Sequence, residues 1–93
     1  MDPITLIITA LTEGLAAASK DVVSDEIKAG YKKLKEILLR KFGGKKDVAQ
    51  AVKNVENKPD SSARQAMLNE ELTGTGAEQD SELLEQAKSF WSW

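Results

Sequence analysis

The side chains in this sequence whose types and spacing could carry a chemistry are its cations. Lys28, Lys32, Lys33, Lys35, Arg40, Lys41, Lys45 and Lys46 fall within one short stretch and meet a single acid, Glu36, a local balance of +7. Residues 1–27 balance at −4 and residues 47–93 at −5, so the whole chain carries only −2. A block of this kind offers electrostatic contact rather than bond-making. Ammonium groups near an anionic membrane surface add about 1 kcal/mol each, and on a helix face they otherwise simply solvate it. Bond-making has little to work with. Histidine and cysteine are both absent, which removes the commonest general base, the thiolate nucleophile and the usual zinc ligands. The carboxylates show no acid/base pairing or metal-ligand spacing. The expectation is no enzyme, no metal and no cofactor. The acidic total, with no aromatic or Arg-rich readout beside the lysines, argues against a nucleic-acid partner.

The elements that would carry this block read as helices. Asp2-Pro3 is a helix start, because the aspartate can accept from free N–H groups and proline suits the first turn. The helix from Pro3 to about Ser19 is apolar round most of its circumference, relieved by a stripe of Thr5, Thr9, Thr12 and Glu13. A second helix, capped by Asp21 or Ser24 and reaching Phe42, places Val23, Ile27, Gly30/Tyr31, Leu34, Leu38 and Phe42 on a buried stripe and its lysines outside. Leu39, stranded among those lysines, suggests a contact surface. Gly43-Gly44 supplies a terminator, one glycine suiting the left-handed position. A third helix over about Lys46–Asn57 turns Val48, Ala51, Val52 and Val55 inward and stops at Pro59. A fourth opens at Asp60 or Ser61, buries Ala63, Ala66, Met67, Leu68 and Leu72, and closes at Gly74 and Gly76. A last one starts at Asp80 with Leu83, Leu84, Ala87, Phe90 and Trp91 on one face. No stretch alternates with period two. The fold class is all-α: one small bundle of four to five helices over residues 1–93, with a hydrophobic N-terminal helix. Ile7, Leu11, Ile27, Leu34, Leu38 and Leu72 are expected to share one core.

The first helix admits several fates. A secretory signal needs a basic start, and here no Lys or Arg precedes Lys20. A constitutive membrane span wants about 20 strongly apolar residues, and this segment is shorter and diluted by threonines, Glu13 and Gly14. A core helix remains, or one that is a core helix only part of the time. The crowded ending "FWSW" reads either as packing on the bundle or as a point from which a longer chain continues. It does not reveal the roles of Trp91 and Trp93.

The order "MDPITLIITALTEGLAAASKD", "IKAGYKKLKEILLRKFGG", "NKPDSSARQAMLNEEL" and "DSELLEQAKSFW" resembles the bacterial Bell domain over essentially the whole chain. That family is similar to the fungal HeLo and HeLo-like domains and to the four-helix domain of the mammalian necroptosis executioner. The resemblance implies a cell-death effector placed alongside NLR-type receptors. Such a domain rests in the cytoplasm, self-associates on activation and permeabilises the cell membrane through its first helix. Ile4, Leu6, Ile7, Ile8, Leu11 and Leu15 would supply the inserting surface, and Lys28, Lys32, Lys35, Arg40, Lys41, Lys45 and Lys46 would meet anionic headgroups. An amyloid signalling motif linking it to the receptor would lie beyond Trp93. The rival expectation is a non-lytic protein–protein adaptor built on the same bundle.

Overall fold

In a computed structural model, residues 2–18, 25–45 and 47–90 are described. They form five α-helices and one 3-10 turn, with no strand among them. The order is α1 (Pro3–Ala18), α2 (Asp25–Phe42), α3 (Val48–Asn57), α4 (Ser62–Leu72), the 3-10 turn Ala77–Gln79 and α5 (Ser81–Ser89).

Local chemistry sets most of the boundaries. The Thr5 N–H and hydroxyl both donate to the Asp2 carboxylate, at 3.0 and 2.7 Å, and fix the first turn of α1. Ser61 accepts from the Arg64 N–H at 3.3 Å and opens α4. Asp80 accepts from the Leu83 N–H at 2.9 Å and opens α5. Between the last two helices, Gly74 and Gly76 adopt φ of 85° and 96°, the left-handed region that favours glycine.

Packing makes α1 the hub. It touches α2, α3, α4, α5 and the 3-10 turn, while α3 pairs with α4 and α2 pairs with both α3 and α5. The core joins Ile7 and Leu11 of α1 to Leu34, Ile37 and Leu38 of α2, Val52 and Val55 of α3, Leu68 and Leu72 of α4, and Leu83 of α5. Among the described residues no polar or charged side chain is buried.

Several expectations change on contact with this geometry. Ile27 is half-buried and outside the core, and Ile37 is buried instead. Ile27 has the right angular position but lies in the first turn of α2, off the layer that Leu34 and Leu38 occupy. Leu39 is not stranded, since it packs against the core. Gly43 and Gly44 close α2 without a left-handed residue, by turn bonds from the Gly43 N–H to the Leu39 carbonyl and from the Lys45 N–H to the Phe42 carbonyl. Ala63, Ala66 and Met67 point outward, because α4 is held to the bundle by Leu68 and Leu72 alone among its fully buried residues. Asp21, Val23, Ser24, Lys46, Trp91 and Trp93 lie outside the described residues.

Candidate functional site

The six residues assigned to an inserting surface do not form a surface here. Ile4, Ile7, Ile8 and Leu11 are buried in the core, and Leu6 and Leu15 are half-buried. The threonine stripe runs along the side of α1 that is least covered. Thr5 bonds to Asp2, and the Thr12 hydroxyl donates to the Thr9 carbonyl at 3.1 Å. Thr5 and Thr9 border an open groove of about 380 Å³ whose far wall is Ala66, Asn69 and Glu70 of α4. Near its other end α1 is approached closely. A Cβ added at Gly14 would stand 2.9 Å from the Phe90 ring and 3.2 Å from the Tyr31 ring.

Polar cross-links are distributed unevenly through the bundle. The Tyr31 hydroxyl and the Lys35 ammonium both donate to one carboxylate oxygen of Glu56, each at 2.8 Å, tying α2 to α3. Arg40 pairs with Glu82 at 3.1 Å, and Lys41 reaches Asp80 at 3.0 Å and Glu82 at 2.8 Å, tying α2 to α5. The Gln86 amide donates to the Gly30 carbonyl at 3.3 Å. Arg64 donates to the Asn54 carbonyl at 2.8 Å, and Glu71 accepts from the Asp47 N–H at 3.2 Å, tying α4 to α3 and its approach. Between described residues, no side-chain hydrogen bond or ion pair joins α1 to another element. Among the described residues, apolar packing is what joins it to the bundle.

These links also shift titrations. Lys41 is raised by its bonds to Glu82 and then Asp80. Glu82 is lowered first by Lys41, and Asp80 first by the Leu83 N–H and then by Lys41. Burial, and then the bond and charge of Glu56, push the Tyr31 phenol well above its ordinary value.

The expected headgroup cluster is therefore divided. Lys35, Arg40 and Lys41 are engaged in ion pairs between helices at the bundle surface. Lys45 lies 5.6 Å from the Phe42 ring centroid and donates to the Thr75 carbonyl at 3.2 Å. Lys28, Lys32 and Lys33 are exposed and carry no ion pair among the described residues, Lys33 lying outside the expected headgroup set. The signal missed in the sequence was the acidic partners. Glu56, Asp80 and Glu82 lie 21 to 42 positions from their cations, beyond the reach of any helical spacing.

Among the described residues no helix is long and apolar enough to cross a membrane, and no cluster of acidic side chains could hold a metal ion. Comparison with known proteins yields one family. A model of the Het-E N-terminal domain matches residues 1–92, while no curated protein and no solved structure matches. A five-helix bundle with an apolar first helix, matched along nearly its full length, belongs to the Het-E N-terminal domain family, a HeLo-like domain associated with NLR proteins.

Proposed function

We propose that this chain is a Bell-type cell-death effector domain of a bacterial NLR pathway, resting in the cytoplasm and damaging anionic membranes once several copies are brought together. In this reading α1 is the working part. It leaves the core and presents Ile4, Leu6, Ile7, Ile8, Leu11 and Leu15 to lipid. The receptor would act through a segment outside this chain.

The observation that carries the reading is that, between described residues, no side-chain hydrogen bond or ion pair ties α1 to its neighbours, against the laced α2–α3, α2–α5 and α3–α4 pairs. Moving a helix from a protein core into lipid leaves its backbone bonds intact. Here the described side-chain bonds of α1 travel with it as well, because the Asp2–Thr5 and Thr12–Thr9 bonds are internal. What is exchanged is one apolar surrounding for another. The 16 residues of α1 span roughly 24 Å, less than the hydrocarbon thickness of about 30 Å. Local thinning and association of copies accommodate a short helix. Lys28, Lys32 and Lys33 of α2, exposed and without an ion pair among the described residues, would meet headgroups.

Thr9→Lys tests this. The half-buried residue borders the α1–α4 groove that Glu70 also lines, so the resting fold should lose no more than about 1 kcal/mol. Near the middle of a bilayer the same lysine costs about 2.5–3.5 kcal/mol, more than a tenfold loss of inserted helix. The expected result is near-wild-type melting with loss of dye leakage from anionic vesicles and loss of toxicity in bacteria. Undiminished leakage means that α1 does not enter the bilayer. A wild-type chain that never permeabilises vesicles returns the domain to the adaptor reading.

A further inference from the structure

α4 carries a second stripe that the bundle does not use. Leu68 and Leu72 face the core, whereas Ala63, Ala66, Met67 and Glu70, spaced by three and four, face outward. Met67 is 51% exposed and is the one large apolar side chain so exposed among the described residues. The stripe stands as a ridge between two grooves. One, of about 380 Å³, lies toward α1 and includes Asn69 and Glu70. The other, of about 290 Å³, lies toward α3 and includes Asp47 and Glu71. Their linings hold three carboxylates and no cation.

A cleft beside α2 has the opposite sign. It has a volume of about 600 Å³ and a floor of Ala18, Ala29 and Tyr31, with the ammonium groups of Lys28, Lys32 and Lys35 along it and no carboxylate in its lining. Glu56 neutralises Lys35, which leaves Lys28 and Lys32 to act outward.

We propose that Lys28 and Lys32 on α2 of one copy dock on the Ala66–Met67–Glu70 ridge of α4 in the next, so that the domain assembles head to tail. Charge decides the occupant. A two-fold pairing of α4 with α4 would set Glu70 and Glu71 against their own copies, and an anionic lipid surface would be repelled in the same way. The basic row of α2 is complementary, and Ala29 beside it leaves room for Met67. Because the two faces sit on different helices, each flanking α1, the contact joins unlike surfaces, and arranged head to tail it leaves each copy one free face for the next. The inference rests on the proposed function only for its consequence, since clustering is what that reading requires. Its α4 residues carry no headgroup role, whereas Lys28 and Lys32 serve both readings, so Glu70→Lys is the variant that separates the two.

The test is sedimentation of the full chain over rising concentration, at about 20 mM and about 0.5 M salt, where screening lengths differ severalfold. The wild type should gain mass with concentration at low salt and lose that gain at high salt. Glu70→Lys alone, and Lys28→Glu with Lys32→Glu, should each raise the dissociation constant about tenfold or more. An equimolar mixture of the two should associate again, as should a chain carrying all three changes. Circular dichroism on the same samples checks the fold, and all three positions are exposed. A wild type that stays monomeric, a Glu70→Lys variant that associates normally, or a mixture that stays monomeric overturns the contact. Leakage from anionic vesicles is read in parallel. Charge-dependent association without leakage in any sample leaves the contact standing and overturns the membrane reading. Leakage without charge-dependent association does the reverse.

Discussion

Tyr31 works in two directions at once. Its ring packs against the core and comes close to Gly14, while its hydroxyl leaves the apolar layer to donate to Glu56. Ionising it would break that bond and place a phenolate beside a carboxylate. The folded state therefore holds its proton above the ordinary value of 10.0, and stability should be full below pH 10 and fall as pH rises past it. Tyr31 is the sole tyrosine of the sequence, so an ultraviolet titration reads it directly. Tyrosinate absorbance should stay low past pH 10 and appear together with loss of helicity. A normal titration in the folded state would show that neither the burial of the phenol nor its bond to Glu56 holds in solution. Gly14 gives a second check. Gly14→Val forces a branched side chain into the space taken by Phe90 and Tyr31, and overpacking of this kind costs about 1–3 kcal/mol. The loss should shrink when Phe90→Ala is added, which a double-mutant cycle in denaturant would reveal. The sequence foretold the residues whose partners are local. Asp2, Ser61 and Asp80 each cap a helix three residues ahead. Tyr31 and Glu56 stand 25 positions apart, and only the folded chain brings them together.

At the level of the helix, what could be read in advance depended on how many faces are apolar. α3 has one such face, and all four of its expected inward residues are buried. α4 has two, Leu68 with Leu72 and Ala63 with Ala66 and Met67, and periodicity alone does not say which one the bundle takes. Volume decided it, because two leucines bury far more apolar area than alanines can. The seam between α2 and α5 makes a different demand, since four charged side chains meet there without being buried in apolar surroundings. Asp80 and Glu82 are both held below the ordinary carboxylate range, so the folded state binds fewer protons than the unfolded one as pH drops. Their contribution is complete above about pH 5 and is lost as pH falls through their lowered values. Asp80→Asn and Glu82→Gln should each flatten the acid limb of a melting-temperature profile measured from pH 7 to pH 2. An unchanged acid limb in both would mean that the seam adds nothing to stability.

For the molecule as a whole, the hub arrangement makes stability depend on one element that the described residues hold by apolar contact. Leu34 and Leu38 are fully buried within the core that α1 enters, and truncating either to alanine should cost about 2–5 kcal/mol in denaturant unfolding. A small domain of this size has on the order of 5–15 kcal/mol in total, so either change should move the midpoint plainly. The same arrangement bears on how the protein is made. α1 is translated first, yet α5, one of its principal neighbours, ends some 70 residues later in the chain. At about 5–20 residues per second the ribosome needs roughly 4–14 s to cover that distance. Once it has left the ribosome, and until α5 follows, the most apolar segment of the nascent chain lacks part of its protein surroundings and is open to chaperones or to any nearby bilayer. Slower translation over α2–α5 should therefore lower the share of newly made protein that reaches the resting state, which a comparison of soluble yield from slow- and fast-codon versions would read.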